Sequence, residues 1–403
     1  MIPRRGSDTH DEGALLRPSK RLERIPPYAF AELERKIAAK RAAGVDVISL
    51  GIGDPDRPTP ALIVEAMQEA VTEPETHRYP TNRGREDFRE MVCDFYERRF
   101  DVKLDREHEV IPAIGAKEAI FNLNLAFLDA GDYALASDPG YPVYTAGPWL
   151  VGAEPVLMAL RPDYGFTPDL DAIDEGVRSR AKLMYLNYPN NPTGAIVPDG
   201  FFEHAVEFAR ENEILIVHDN AYSEITFDGY RAPSFLATPG AKDVGIEVFS
   251  LSKGYNMTGW RCAAVVGNPD AIETYWRLKT NIDSGLFEAV QLAAIAALEP
   301  ETDAEVASMH ELYLRRRDLV CDALRNIGVE VRPPHATIYV WAPVPEGFAS
   351  SEAYCEHVLE EVAVVLSPGS IYGPAGEGWF RISLTTPDER LLEALERLGS
   401  LSA

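Results

Sequence analysis

The sequence predicts an α/β fold, with a large domain built on a mostly parallel sheet and a smaller α+β domain after it. Three observations carry that prediction. Short, β-branched apolar runs alternate with helical patterns as far as about residue 290, as expected for strands covered on both faces by crossover helices. Beyond a long helical stretch, 286–326, the pattern changes to isolated strand-like pieces. The 403 residues are 46% hydrophobic and 26% charged, a globular balance on a chain long enough for two or three domains.

The opening segment, 1–15, is polar and acidic after Arg4 and Arg5, without the apolar core of a secretory signal, and is read as a disordered tail. A helix over 27–43 belongs to an N-terminal segment, 16–51, expected to pack with the small domain. The large domain, 52–290, places strands at 133–137, 155–160, 183–186, 214–218, 247–250 and 263–266, with helices such as 116–128 and 201–211 between them. The small domain, 291–403, shows strand-like pieces at 337–341, 362–366 and 379–384 and a closing helix, 388–398.

Charge narrows the function. The net charge is −25, from 39 basic and 64 acidic residues, so nucleic-acid phosphates and anionic lipid surfaces are repelled rather than bound. No apolar run reaches the ~18 residues of a membrane helix. Cys93, Cys262, Cys321 and Cys355 match neither a zinc site nor a CxxC pair. No metal is expected, and a cytoplasmic protein with reduced thiols is the simple reading.

Five segments carry chemistry. Ser250-Leu251-Ser252-Lys253 leads from a buried strand into the loop Gly254-Tyr255-Asn256-Met257-Thr258-Gly259-Trp260-Arg261, which puts a lysine amine where α/β proteins bind ligands. Asn187-Tyr188-Pro189-Asn190-Asn191-Pro192-Thr193-Gly194 is a turn at another strand end. In His218-Asp219-Asn220-Ala221-Tyr222 an acid comes after an apolar strand and needs a cation if it is buried. Gly115-Ala116-Lys117 opens a helix whose free N–H groups suit an anion. Arg381 lies inside the apolar strand Trp379-Phe380-Arg381-Ile382-Ser383-Leu384 and calls for a carboxylate. Taken singly, each admits a plain structural role: a surface lysine, a loop, a helix cap, a βα turn, a salt bridge.

Together they match the needs of a phosphorylated aromatic aldehyde: an amine, an acid under a ring nitrogen, donors for a phenolate, an aromatic cover and a phosphate cradle. From about residue 26 to 398 the chain resembles the class I/II pyridoxal-phosphate aminotransferases of fold type I. The resemblance implies a seven-stranded, mostly parallel sheet, pyridoxal 5'-phosphate as cofactor and a homodimer with shared sites. It implies that Lys253 holds the cofactor as a Schiff base and shuttles the proton, that Asp219 pairs with the ring nitrogen, and that Asn191 and Tyr222 donate to the phenolate oxygen. Tyr141, in Asp138-Pro139-Gly140-Tyr141-Pro142, would cover the ring. Gly115, Ala116, Lys117, Ser250 and Arg261 would surround the phosphate, and Tyr79, in Arg78-Tyr79-Pro80, would reach the phosphate of the neighbouring subunit. Arg381, Asn191 and Gly53 would meet the substrate α-carboxylate.

Within the family the lysine segment and the ending Gly376-Glu377-Gly378-Trp379-Phe380-Arg381 look most like the LL-diaminopimelate aminotransferase-like branch, which also holds alanine and aspartate enzymes. One subgroup of aspartate enzymes uses a partner arginine that 281–286 does not offer. Another uses a lysine at the position of Lys117, so Lys117 serves either phosphate or substrate. The expectation is an acidic or distally charged amino acid, with 2-oxoglutarate as the second substrate. A carbon–sulfur β-lyase on the same fold is the alternative. A DNA-binding regulator is disfavoured by the charge, and an inactive binding module by the intact Lys253, Asp219 and Arg381.

Overall fold

The computed structural model describes residues 18–25 and 29–402. The predicted tail, 1–15, and Pro27 lie outside the described residues. The strands in chain order are β1 (Ile48–Ser49), β2 (Val110–Ala113), β3 (Tyr133–Asp138), β4 (Glu154–Ala159), β5 (Ala181–Leu186), β6 (Leu215–Asn220), β7 (Gly245–Ser250), β8 (Ala263–Gly267), β9 (Tyr339–Pro343), β10 (Val364–Val365), β11 (Ser367–Pro368) and β12 (Trp379–Ser383).

Seven of these form one sheet in the order β2-β8-β7-β6-β5-β3-β4. All neighbours run parallel except at β8, which is antiparallel to both β2 and β7. The six strands predicted in this region are all present. The seventh, β2, is not among those expected, because Pro112 interrupts a four-residue run; β2 is an edge strand, where a missing N–H is tolerated. Side chains alternate across the sheet and fill two cores. One centres on Phe88, Phe95, Phe202 and Phe249, the other on Ile120, Leu123, Tyr144 and Val248.

The C-terminal part has its own core around Val340, Ile382, Val358 and Leu395. Its sheet is antiparallel, β11-β12-β9. Two expectations shift here. The helical stretch divides at Pro300 into Glu288–Leu298 and Asp303–Asn326, since proline cannot continue the first helix. The strand expected at 362–366 is shorter, because the helix Ser351–Val362 runs into it and ends on Ala363 in the left-handed region, φ 53°. The extended residues after Ala363 divide between two sheets: β10 pairs with β1 and β11 with β12.

The helix Ala29–Ala42 sets Lys36 and Lys40 against Glu356 and Glu360 at 3.2 and 2.8 Å. Arg316 is buried and bridges Asp56 at 2.7 Å and Asp388 at 2.6 Å, so residues just past β1 are tied to the C-terminal helices. All four cysteines are free thiols. Among the described residues no helix is long and apolar enough to cross a membrane. No group of three or more His, Cys, Asp or Glu among them is placed to hold a metal.

Candidate active site

The parallel strands deliver their C-terminal ends to one pocket of about 290 Å³, the position at which open α/β sheets bind ligands. Lys253, Asp219, Asn191, Tyr222, Arg381 and Gly53 line it, with Ala116, Lys117, Tyr141, Ser250 and Arg261. Segments as far apart as Gly53 and Arg381 thus meet in one cavity.

Asp219, near the end of β6, is 6% exposed. Tyr144 donates to its Oδ2 at 2.7 Å, while Oδ1 is buried with no hydrogen-bond partner among the described residues. Burial pushes its carboxyl up to about 6, against the opposing pull of Tyr144 and His218. A buried carboxylate with an open oxygen needs a cationic donor, and a protonated pyridine nitrogen supplies one. Asn187 holds the strand end by donating to the Asp219 carbonyl at 2.7 Å, and its Oδ1 accepts the Asn191 N–H at 2.8 Å.

Lys253 comes after β7 in the short helix Leu251–Gly254, which Ser250 caps by accepting the Ser252 N–H at 3.2 Å. Its Nζ donates to the Gly53 carbonyl at 2.5 Å. Tyr222 is buried and donates to Tyr339 at 3.2 Å. Arg381, 2% exposed on β12, donates to Asn191 Oδ1 and to the Gly51 carbonyl, both at 2.8 Å. With Oδ1 turned to Arg381, the Asn191 amide keeps its N–H groups for the pocket.

A cradle lies at the head of the helix Ala116–Phe127. Gly115 is its N-cap with φ 85°, and a Cβ built there would stand 2.2 Å from the Arg261 guanidinium. Only glycine leaves room for that cation beside the helix N-terminus, where free N–H groups and the helix dipole favour an anion. Arg261 is fixed from behind by donating to the Thr258 carbonyl at 2.8 Å. Lys117 lies 5.9 Å from the Tyr141 ring centroid, and burial, then Arg261, push its amine down. A phosphate fits this set, and Tyr141 stands beside the space between cradle and Asp219, edge-on to Tyr144 at 6.0 Å. The residues present therefore fit pyridoxal phosphate from ring nitrogen to phosphate.

Tyr79 stands apart. It is 87% exposed and does not line the pocket. Tyr144, Asn187 and Tyr339 line it, although the sequence alone does not single them out as site residues. Asn187 sits in one of the five segments, and Tyr144 is three residues past Tyr141 on the next helix, so its spacing is the available signal. Tyr339 carries none, because it begins a strand of the other domain.

A family model described as aminotransferase class I and II matches residues 45–398. An LL-diaminopimelate aminotransferase of Desulforudis audaxviator is 53% identical over 380 residues, covering 94% of this chain and 96% of that enzyme. One of Moorella thermoacetica is 51% identical over 383 residues, covering 95% and 98%. Among solved structures, apo-BacF of Bacillus subtilis superposes with a TM-score of 0.92 at 36% identity, covering 96% of this chain and 99% of that one. A probable N-succinyldiaminopimelate aminotransferase of Thermus thermophilus gives 0.86 at 35%, covering 92% and 99%.

Proposed function

Since the chain belongs to the class I and II aminotransferases, which work with pyridoxal phosphate, we propose that it moves an amino group between LL-diaminopimelate, or a similar amino acid with a charged far end, and 2-oxoglutarate. The observation that carries the reading is the buried Asp219 with its open Oδ1, facing the same pocket as Lys253 and Arg381. For the substrate, the support is the half-identity to LL-diaminopimelate aminotransferases over nearly the whole chain. A further cation, Lys117, in the pocket that also holds Lys253, Arg261 and Arg381 adds to it.

Pyridoxal phosphate, when bound, supplies a reactive aldehyde and a ring that draws electrons from the substrate Cα. The chain's residues do the rest. Asp219 Oδ1 keeps a proton on the ring nitrogen. Tyr222 and the Asn191 amide donate to the phenolate oxygen. The N–H groups of Ala116 and Lys117, with Ser250 and Arg261, hold the phosphate, and Tyr141 covers the ring. Arg381 grips the α-carboxylate, which fixes the direction of the Cα–H bond. Lys253 Nζ would hold the cofactor at rest and, once the substrate amine has displaced it, would carry the proton from the substrate Cα to the cofactor's former aldehyde carbon. A second oxo acid runs the sequence backward, giving ping-pong kinetics.

The same reading takes the enzyme to be a cytoplasmic homodimer, in which the exposed Tyr79 reaches the partner's phosphate site. The expected boundary between a cofactor domain, 52–290, and a smaller domain, 291–403, moves C-terminal, because Ala293, Ala297, Leu298 and Met309 share the core of Phe95 and Phe249 while Tyr313 and Val320 share that of Val340. Of the segment expected to pack on the smaller domain, 16–51, Lys36 and Lys40 pair with that domain, whereas Arg24 pairs with Glu154 of the larger one at 2.7 Å. A panel of amino acids, each mixed with the enzyme without an oxo acid, tests the function. LL-diaminopimelate and glutamate are expected to convert the bound aldehyde's absorbance to that of the amine form. Failure of both, or release of pyruvate and ammonia from cystathionine, overturns it, the latter in favour of a β-lyase.

A further inference from the structure

Tyr339 opens β9, is 3% exposed, and touches three parts of the site at once. Its ring lies under the Arg381 guanidinium, 3.8 Å from Cζ to centroid. Its hydroxyl accepts from Tyr222 at 3.2 Å. Its edge fills the space where a Gly53 side chain would begin: a Cβ there would meet the Tyr339 hydroxyl at 2.2 Å, and the Gly53 carbonyl holds Lys253.

We propose that Tyr339 is a positioning residue for both halves of the reaction: its ring sets the plane of Arg381 toward the substrate carboxylate, and its hydroxyl competes with the cofactor's phenolate oxygen for the Tyr222 proton. The inference rests on the roles proposed above for Arg381 and Tyr222. A guanidinium is planar and stacks on an aromatic face, so the ring limits its tilt while the Asn191 and Gly51 bonds limit its turn. Tyr222 has one O–H and can donate fully to one acceptor. The groups bearing on Tyr339 are Arg381 from β12, Lys253 from the helix after β7, Tyr222 from the loop after β6, and Tyr313 from the helix Asp303–Asn326. Burial raises both phenols of the pair, but Arg381 and Lys253 draw Tyr339 below its ordinary value while Tyr222 stays well above. Tyr222 is thus the donor and Tyr339 the acceptor. Strength of donation to the phenolate is thereby set from the domain that also carries the carboxylate grip.

Holoenzymes of Tyr339→Phe and Tyr339→Leu separate the two roles. The pH midpoint of the bound cofactor's visible absorbance reads the hydroxyl; the dissociation constant of succinate, an unreactive dicarboxylate, reads the ring. In Tyr339→Phe, Tyr222 donates wholly to the phenolate, which favours its unprotonated form. The midpoint moves to lower pH by roughly half a unit or more, with succinate binding within about twofold of the parent. In Tyr339→Leu the same shift is joined by about tenfold or more weaker succinate binding. If the leucine variant does not fold, Tyr339→Met is read by the same criteria. A midpoint that stays or rises in Tyr339→Phe, or parental succinate binding without the ring, overturns the inference. Parental succinate binding in Arg381→Leu instead removes the reading it rests on.

Discussion

Asp219 and Glu247 are buried carboxylates on adjacent strands of one sheet, and they have opposite fates. Glu247 is fully buried in β7 and collects donors from every side: Tyr96 at 2.6 Å, His218 at 2.8 Å, Asn220 and the Phe235 N–H at 2.9 Å, and Ser234 at 3.1 Å. Burial works to raise it, but His218, Tyr96 and Asn220 hold it below the usual carboxylate range. Asp219 lies between His218 and Asn220 in β6, so strand alternation turns it to the other face. There, among the described residues, it meets one hydroxyl and keeps one oxygen unpartnered. A buried charge whose valences are all filled is scaffold; one left open at a pocket wall is a receptor for a cation. The two carboxylates show that burial alone does not mark a site.

The largest test of this contrast is on rate. Asp219→Asn keeps the shape and the Tyr144 contact but no longer holds a proton on the ring nitrogen, so kcat should fall about a thousandfold or more with the fold intact by circular dichroism. Near-parental turnover would place Asp219 with Glu247 among the scaffold residues.

Next is stability. Glu247→Ala leaves four donor side chains and a backbone N–H without their acceptor, and should cost about 3–5 kcal/mol in denaturant unfolding. A loss under about 1 kcal/mol would show that the network is not what holds β6 to β7.

The smallest concerns pH in the cofactor-free protein. Asp219 rises from 3.8 unfolded to about 6 folded. A raised acid favours the fold below its unfolded value, and that contribution is lost as pH climbs through the folded one. Between about pH 4 and 6 the loss amounts to about 3 kcal/mol. Glu247, being lowered, acts only below its ordinary 4.5. Unfolding of parent and Asp219→Asn at pH 5 and 7 should show the parent losing ground to the variant as pH rises. Parallel behaviour would mean that the open oxygen carries no strain.

Asp219 is legible in the sequence because an acid ending an apolar run is conspicuous. Glu247 has the same signature inside Gly245–Ser250, yet the stronger motif just after it, at Lys253, overshadows it. What separates the two acids is which donors the fold brings to each, and those come from residues as distant as Tyr96 and Ser234. Lys253, Asn191 and Arg261 are legible because turns and strand ends write local patterns. Tyr144 and Tyr339 are not, since their places depend on how a helix and a second domain pack. Pro112 hides β2 for a local reason, and Pro300 marks a helix break that apolar periodicity runs across.

Residues 51–56 join the two bodies of the pocket. On one side Arg381 and Ser367 bond the Gly51 carbonyl, Thr385 bonds that of Ile52 and Arg316 clasps Asp56. On the other side, among the described residues, Lys253 alone reaches across to Gly53. This short ribbon is therefore fastened chiefly to the C-terminal sheet, and the amine ties it to the other wall together with Asn256, which bonds Pro58 and Thr59 just beyond it. When Lys253 turns to its chemistry the Gly53 carbonyl loses that donor, while the Arg381–Asn191 and Tyr222–Tyr339 bonds still span the two walls.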